Sequence, residues 1–473
     1  MKNNLLKKIF SSGLQAVSVQ ILGVIFLFIV SFYLSESEFG IISWYTAVTI
    51  TITTLLSFGI DQVAVRRIAA SERSDWAAAA YLFHAFVGSV IAFVILVTIT
   101  AIWSNSDNTL RFLPWFFIAQ SLMYIGTPLK QFLNAKQKFA PYGVIAVISN
   151  LTKISLAYWG IYRELLSVDL VYAILIICAL IELVGLLIYI LKYTSFSFRF
   201  KFVAYRKLIK ESTAQYIAMV FDTGISRLDW ILLGIISTNA ITGVYAFAYR
   251  AYELTRLPIT VIAPVILNIF SKLLVSGKKP DEEKQAVIRQ LFTVGVFAAI
   301  LMPLVLNILW APTLDWLYNG KYGSSNAVEF LLLTICIPFQ FTINLLWTLT
   351  FASKNYTKVT KITIVTAVTN LLLNLLLIPF YGGLGAAVAY LITNLVQMSG
   401  YYLVVKGKIM AFPLRSLLLF LIMGAIAYSI STFLTDNLVL QLVTSLGVYI
   451  SLAILTKQVR KDQIGTLKML LKK

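Results

Sequence analysis

The chain has 473 residues, of which 59% are hydrophobic and 12% are charged, and its mean hydropathy is +0.85. Soluble domains are about half apolar and about a quarter charged, so this composition excludes a water-soluble enzyme, a disordered chain and a secreted disulfide scaffold. The formal net charge is +19, and its meaning depends on where the basic residues lie.

Long apolar stretches follow one another along almost the whole chain. A bilayer core of about 30 Å requires about 20 apolar residues per helix, and fourteen stretches meet that length. They lie at 11–34, 40–60, 76–102, 112–133, 142–162, 168–191, 211–236, 240–270, 290–312, 327–352, 357–378, 384–405, 414–434 and 437–456. We therefore predict an all-α polytopic membrane protein with about 14 transmembrane helices. A count of 12 or 13 stays open, because 76–102 follows a short charged linker and the last two stretches are nearly contiguous.

Basic residues separate to one side of the predicted membrane. No A-x-A cleavage site follows the basic N-terminus, so 11–34 is predicted to be an uncleaved span. With the N-terminus in the cytoplasm, 32 of the 39 Lys and Arg residues fall in cytoplasmic segments, whereas the outer loops hold only Arg111, Arg163 and Lys321. This bias predicts a protein of the cytoplasmic (inner) membrane with both termini in the cytoplasm. Anchoring to an anionic leaflet explains the net charge, and no nucleic-acid partner is expected.

The two halves of the chain resemble each other. Residues 120–150 and 340–370 each contain an apolar span, a short Lys-rich turn and a second span with Asn, and the turn at 34–48 parallels that at 236–250. A six-helix unit repeated in the same orientation predicts two parallel-repeat bundles. We expect an N-terminal lobe at 1–200 and a C-terminal lobe at 201–408. Two extra helices and a basic cytoplasmic tail follow at 409–473.

Eight charged residues lie inside the predicted spans. They are Lys153, Glu182, Asp222, Arg227, Asp229, Arg250, Glu253 and Arg256. A charge at the bilayer centre costs about 2.5–3.5 kcal/mol on insertion scales, so it usually faces a cavity or a partner. Two interpretations of the six charges on predicted helices 7 and 8 stay open. They form a neutral ion network that joins the two helices, or they line a hydrated cavity that binds an anionic, sugar-bearing ligand.

The second interpretation gives the candidate substrate-binding residues. An Arg guanidinium binds phosphate oxygens through two parallel N–H donors, which suits such a ligand. The candidates are Arg250, Arg227, Arg256, Lys153, Asp229, Glu253 and Asp222. Glu182 is the expected counter-charge of Lys153. Arg250 has two alternative roles, as a phosphate ligand or as half of a structural pair with Asp229.

The remaining polar residues give weaker signals. His84 is either a hydrogen-bonded packing residue or a proton relay, and Tyr249 and Tyr252 either stack on a sugar or pack in the core. Cys178 and Cys336 have no CxxC neighbour or His partner, so no metal or redox role is expected. No Gly-rich phosphate loop, G-x-S-x-G or H-E-x-x-H motif is present. We therefore predict a protein that is not an enzyme and needs no cofactor.

Three segments, in order along the chain, resemble one family of membrane transporters. The first segment, 32–69, has an acidic turn and a span that ends in a Gly, an Asp and a basic pair. Its motif residues are Glu36, Glu38, Phe39, Gly40, Gly59, Asp61, Arg66 and Arg67. The others are 229–265, with DWILLGIISTNAITGVYAFAYR, and 370–396, with NLLLNLLLIPFYGGLGAAVAY. Together they resemble the polysaccharide-transporter (Wzx-type) flippases of the multidrug/oligosaccharidyl-lipid/polysaccharide (MOP) exporter superfamily.

The resemblance implies two six-helix bundles that work by alternating access. The implied substrate is an undecaprenyl-pyrophosphate-linked oligosaccharide repeat unit, for O-antigen, capsule or exopolysaccharide, moved from the inner to the outer leaflet. The implied partners are this lipid-linked oligosaccharide, membrane lipids, a coupling ion (H⁺ or Na⁺), and polymerase and chain-length proteins.

Three alternatives stay open. A lipid II flippase and an ion-coupled drug exporter belong to the same superfamily, and three basic residues on predicted helices 7 and 8 weigh against a cationic drug. The third alternative is a membrane-embedded glycan polymerase or ligase. Such enzymes usually have a large outer loop, whereas the longest outer loop predicted here is roughly 313–326.

Overall fold

The structure, a computed structural model, describes residues 19–70, 75–103, 110–194, 196–274 and 280–458. These ranges are helical and contain no strand, as predicted. They include fifteen α-helices: α1 (Val19–Tyr33), α2 (Glu36–Ser57), α3 (Ile60–Ala70), α4 (Asp75–Trp103), α5 (Leu113–Ala135), α6 (Phe139–Tyr162), α7 (Val168–Tyr193), α8 (Phe202–Ile236), α9 (Asn239–Thr255), α10 (Leu257–Leu273), α11 (Glu282–Tyr318), α12 (Ala327–Ala352), α13 (Tyr356–Lys408), α14 (Leu414–Leu434) and α15 (Leu438–Leu455).

Each predicted span overlaps one or more helices of the structure, although the start of 11–34 lies outside the described residues. Within the described ranges, nine helices are long and apolar enough to cross a membrane. One of these nine is α13, which contains two predicted spans. The protein is therefore a multi-pass membrane protein, and the total of 14 crossings stays a prediction.

Helix starts follow from local sequence. Ser35 caps α2 by accepting a hydrogen bond from the Glu38 backbone N–H at 3.2 Å, and Glu38 accepts one from the Ser35 backbone N–H at 2.9 Å. This reciprocal pair satisfies N–H groups that the first helical turn leaves unpaired. Ser167, Asp281 and Asn437 cap α7, α11 and α15 in the same general way.

The predicted span 240–270 is two helices rather than one. α9 ends at Thr255 and α10 begins at Leu257, with Arg256 between them at φ −83° and ψ −11°. Pro258 has no N–H, so it cannot donate to the preceding turn, and its ring disfavours a continuous helix. The helix is therefore interrupted at Arg256, a charged residue. The Arg256 carbonyl accepts a hydrogen bond from the Ile259 N–H at 3.0 Å, in the first turn of α10.

The predicted spans 357–378 and 384–405 form a helical hairpin within α13. Gly382 has φ +52° and ψ −128°, a conformation that L residues with a side chain rarely adopt. The reversal brings Asn370 to Thr393, whose Oγ1 accepts from Asn370 Nδ2 at 3.4 Å. A Cβ at Gly385 would meet the Leu377 carbonyl oxygen. The FYGGLG motif thus supplies both the turn and the close approach of the two arms.

The two Lys-rich turns of the sequence repeat share one geometry. Gln137, after α5, has φ +57°, and Lys354, after α12, has φ +59°. In both turns the next residue closes a ring back to the helix: the Lys138 N–H donates to the Leu133 carbonyl at 2.9 Å and the Asn355 N–H to the Thr350 carbonyl at 3.2 Å. This is the pattern of a Schellman C-cap, so the repeated segments are also similar in local structure.

The chain forms two compact units, Met1–Gly243 and Val244–Lys473. In unit 1, α5 packs against α4 and α7, and α8 packs against α2 and α3. A buried cluster of Ala, aromatic and branched side chains from α3, α4, α5 and α7 joins these helices. In unit 2, α12 packs against α11 and α13, while α14 and α15 pack against α11. The division into lobes at 1–200 and 201–408 stays a prediction.

The orientation of the chain can be tested with reporter fusions. We expect a reporter that works only in the cytoplasm to be active when fused after Lys473, which lies outside the described residues. A matched fusion after Gly320, in the turn that follows α11, should be inactive because that turn is predicted to lie outside. Activity of both fusions on the same side of the membrane would contradict the predicted orientation.

Candidate functional site

An ion pair connects α5 and α7 inside unit 1. Lys130 Nζ lies 2.6 Å from Glu182 Oε1, and the two side chains are only 15% and 10% exposed. Lys130 is one of the 32 basic residues predicted to lie in cytoplasmic segments, and in the structure it lies on α5, before the end of that helix at Ala135. Glu182 was expected to pair with Lys153 and instead pairs with Lys130. The pairing compensates two charges that would be expensive alone within an apolar bundle.

A cavity of about 250 Å³ lies beside Lys130, within unit 1. Its lining is mainly polar and comes from α2, α3, α4, α5 and α8. The lining residues are Thr53, Thr54, Ser57, Asp61, Tyr81, Gln120, Met123, Tyr124, Thr127, Lys130 and Met219. Several of their hydroxyls bond to their own helix, such as Ser57 to the Thr54 carbonyl at 2.8 Å.

Asp61 and two tyrosines form one end of this lining. The Tyr81 hydroxyl donates to Asp61 Oδ1 at 2.6 Å, and the Tyr81 and Tyr124 rings lie edge-to-face at 6.5 Å. Tyr124 is 5% exposed, and its buried hydroxyl has no hydrogen-bond partner among the described residues. On α5, Gln120 Nε2 donates to Thr53 Oγ1 at 3.3 Å. The cavity therefore presents a carboxylate, a phenol and an amide close together.

Lys153, a predicted site residue, lies on α6 in unit 1. Its Nζ donates to Asn150 Oδ1 at 3.3 Å and lies 5.6 Å from the centre of the Phe26 ring. An amide oxygen and an aromatic face both stabilise an ammonium group. Lys153 is not part of the cavity lining.

Three predicted site residues lie on α8. Asp229 is buried, and its Oδ1 accepts from the Trp230 N–H at 2.9 Å. The Arg227 guanidinium carbon lies 5.3 Å from the centre of the Trp230 ring, a cation–π distance. Asp222 lies about two turns earlier and is exposed. Trp230 therefore contacts Arg227 through its ring and Asp229 through its backbone N–H.

Arg250 and Glu253 form an ion pair on α9 in unit 2. Arg250 Nη1 donates to Glu253 Oε2 at 3.0 Å, and the side chains are 15% and 22% exposed. Residues three apart lie on the same face of a helix, so local spacing is sufficient to explain this contact.

Arg256, at the break between α9 and α10, lies beside a buried tyrosine cluster. Its guanidinium carbon is 5.8 Å from the centre of the Tyr252 ring, and its Nη2 donates to Gln340 Oε1 at 3.5 Å. Tyr249, Tyr252 and Tyr390 pack edge-to-face, with 3.2 Å between the Tyr252 and Tyr390 hydroxyl oxygens. Of the two interpretations of Tyr249 and Tyr252, the structure supports core packing.

His84 also has a packing role in the structure. Its Nδ1 lies 2.9 Å from the Tyr205 hydroxyl, and its Nε2 lies 2.6 Å from the Leu56 carbonyl oxygen. Both ring nitrogens therefore join α4 to neighbouring helices. In the described part of the chain, no group of three or more His, Cys, Asp or Glu residues is arranged to hold a metal ion.

The helices α2 and α3 pack along α8 and the start of α9, and we call this line of contact the seam. At one end of the seam, α2 and α9 approach each other closely. A Cβ at Gly40 would overlap the Asn239 carbonyl oxygen, and one at Gly243 would overlap the Glu36 carbonyl oxygen. Each glycine is the fifth residue of its helix. The main chains meet here because neither glycine has a side chain.

At the other end of the seam, ion pairs connect the last turn of α3 to α8. Arg66 and Arg67 both form ion pairs with Glu211, the Arg66 distance being 3.4 Å. Along α8 from Glu211, the next contact is the stack of Tyr216 on Phe58, which follows the end of α2, with ring centres 4.2 Å apart. The two sides of the seam are therefore in contact at both of its ends.

Sequence reasoning found the charges of α8 and α9 but not the cavity of unit 1. The sequence indicates Asp61 only as part of a family motif, and it places Lys130 among the residues predicted to be cytoplasmic. The apolar stretch 112–133 already included Lys130, so its position within a span was available as a signal. No sequence pattern indicated that α4, α5 and α7 place Tyr81, Tyr124 and Glu182 near these two residues.

Comparisons with known proteins agree with this architecture. The family described as "Polysaccharide biosynthesis protein" matches residues 5–274. The capsular polysaccharide biosynthesis protein CapF of Staphylococcus aureus is 27% identical over 198 residues, which are 41% of this chain and 49% of CapF. The match thus spans about half the length of this curated relative.

Solved transporter structures share the fold. The lipid II flippase MurJ in an inward closed conformation has a TM-score of 0.73 at 16% identity, over 94% of this chain and 99% of MurJ. An inward-facing multidrug resistance MATE family transporter of the MOP superfamily has a TM-score of 0.67 at 13% identity, over 82% of this chain and 95% of its own. At these identities the similarity establishes the fold alone.

Proposed function

The chain belongs to the family of polysaccharide biosynthesis proteins, and we propose that it is a flippase for lipid-linked oligosaccharides. In this proposal it moves undecaprenyl-pyrophosphate-linked repeat units from the inner to the outer leaflet of the cytoplasmic membrane by alternating access. It performs no chemical step. A coupling ion, H⁺ or Na⁺, supplies the energy, and polymerase and chain-length proteins act on the product.

The observation that supports this function is the concentration of charged side chains on α8 and α9. Arg227 lies on α8, Arg250 lies on α9, and Arg256 directly follows the end of α9. Each lies against an aromatic ring, a carboxylate or an amide, so each is stabilised before any ligand binds. A guanidinium group forms strong, charge-assisted hydrogen bonds with phosphate oxygens. A pyrophosphate-linked headgroup is therefore a suitable ligand.

Loss of the protein should strand its substrate on the cytoplasmic leaflet. We expect a deletion strain to lose surface glycan and to accumulate lipid-linked oligosaccharide that a lectin detects in inverted membrane vesicles but not on intact spheroplasts. Restoring the gene should reverse both effects. Normal surface glycan in the deletion strain, with no second flippase in the same cell, would contradict the proposed function.

Arg250→Lys should separate ligand binding from helix pairing. Lysine retains the charge and can still pair with Glu253, but it lacks the planar fork. If the fork binds pyrophosphate, losing one charge-assisted hydrogen bond of about 1.5–3 kcal/mol lowers export about ten- to a hundredfold. The protein should accumulate normally in the membrane, and surface glycan is the measurement.

Arg289→Lys is the matched control, because the exposed Arg289 side chain donates to Gln285 of the same helix, α11, at 3.1 Å. It should export at the wild-type level. A further variant, Arg250→Ala with Glu253→Ala, removes both charges. Recovery of export by this double variant, relative to Arg250→Ala alone, would favour a purely structural pair and exclude the ligand role.

A further inference from the structure

The polar cavity of unit 1 has the chemistry of a carbohydrate site, and we infer that it binds one uncharged sugar ring of the oligosaccharide headgroup. The inference rests on the proposed function for its substrate, but sugar binding can be measured separately from export. The cavity lies wholly within unit 1, on α2, α3, α4, α5 and α8. It is distinct from the charged residues of α9.

Hydrogen-bonding groups of the cavity match sugar hydroxyls. Tyr124 belongs to the cavity lining, and its hydroxyl is buried with no hydrogen-bond partner among the described residues. Leaving such a group unsatisfied costs about 1–3 kcal/mol, so a ligand that bonds to it gains that energy. Asp61 accepts from Tyr81 on one oxygen, and a carboxylate has about four lone-pair positions for further donors. A ring with several adjacent hydroxyls supplies both donors and acceptors.

The apolar part of the lining matches the carbon face of a sugar ring. Met123 and Met219 complete the wall around the polar groups, and a thioether adapts to an irregular partner surface. The volume of about 250 Å³ is below the roughly 300–1,000 Å³ of sites for drug-sized ligands. The cavity thus has room for one ring rather than for an oligosaccharide.

The charges of the cavity exclude an anionic ligand. Lys130 is the basic lining residue, and Glu182 neutralises it at 2.6 Å. Asp61 adds a further negative charge. Even with Lys153 of α6 included, these four residues sum to zero, so the cavity has no excess positive charge to attract a phosphate or a uronic acid. An uncharged sugar avoids the repulsion from Asp61 and still uses its hydrogen-bonding capacity.

Binding of free monosaccharides to the full-length protein in nanodiscs tests this inference. Saturation-transfer NMR would be recorded with glucose, N-acetylglucosamine and glucuronate as probes, because it detects weak binding. We expect signals from at least one uncharged sugar and none from glucuronate. Tyr124→Phe removes one hydrogen bond and should weaken binding roughly three- to tenfold. Asp61→Asn removes a charged acceptor and should weaken it tenfold or more.

Matched controls are Tyr172→Phe and Asp169→Asn, both on α7 and outside the cavity lining. They should bind sugar as the wild type does. Equal binding by wild type, Tyr124→Phe and Asp61→Asn would overturn the inference, as would glucuronate binding that competes with the uncharged sugar. Absence of sugar binding in a wild-type protein that exports glycan would overturn the inference alone. Sugar binding that follows the expected pattern, in a protein whose deletion leaves surface glycan normal, would overturn the proposed function alone.

Discussion

Adding a side chain at Gly40 or Gly243 is expected to reduce glycan export at least tenfold. At both positions the Cβ would overlap a carbonyl oxygen of the facing helix, Asn239 for Gly40 and Glu36 for Gly243. The obstacle is main chain, which cannot rotate aside as a flexible side chain can. Overpacking a tight contact typically costs about 1–3 kcal/mol, and a state that requires this contact loses population accordingly.

Gly40→Ala and Gly243→Ala should therefore accumulate in the membrane but spend less time with this end of the seam closed. Labelling of Ser37→Cys, in a turn that is predicted to lie outside, would measure the opening alongside the export assay. Gly224→Ala, on α8, is the matched control, because a Cβ there meets nothing within 4 Å. Full export by both seam variants would show that transport does not require the close helix contact.

Breaking the Lys130–Glu182 pair is expected to have the largest effect on stability. Removing one partner leaves a buried charge without compensation, which costs about 3–5 kcal/mol. Lys130→Met and Glu182→Leu should each lower the unfolding temperature of the purified protein and its level in the membrane. The double variant removes both charges and should recover most of the loss, because a well-packed apolar pair often replaces a buried ion pair without net cost.

The pair Lys284–Asp281 provides the control for this experiment. Its Nζ–Oδ2 distance is 2.9 Å, close to that of Lys130–Glu182, but the side chains are 41% and 59% exposed. An exposed pair contributes about 0–1 kcal/mol, so Lys284→Met should leave the unfolding temperature almost unchanged. Strictly additive effects of Lys130→Met and Glu182→Leu in a double-mutant cycle would contradict a direct interaction between them.

Local signals in the sequence were sufficient for the helices and for most of their limits. Hydropathy is a property of each residue, and a segment inside a bilayer must satisfy its backbone hydrogen bonds internally, so a long apolar run specifies a helix. The cap at Ser35 and Glu38 requires only residues three apart. The break between α9 and α10 also has a local cause, because Pro258 has no N–H and its ring disfavours a continuous helix.

The family was also determined by the sequence, because motifs such as 32–69 occur in order along the chain. The fold of the MOP transporters then agrees with the structural comparisons. The Gly-rich turn gives one motif a physical reason: Gly382 has a positive φ, which glycine adopts without a steric penalty.

Tertiary structure alone decided which polar groups of different helices meet. Successive residues of a helix are rotated by about 100°, so an error of one residue in helix phase turns a side chain from a cavity to the lipid. Lys153 was the expected partner of Glu182, but the packing of α5 against α7 places Lys130 there instead. The cavity around Tyr124 and the contact at Gly40 likewise depend on how whole helices are rotated and spaced. Those rotations are set by many weak side-chain contacts between distant segments, which no local pattern in the chain records.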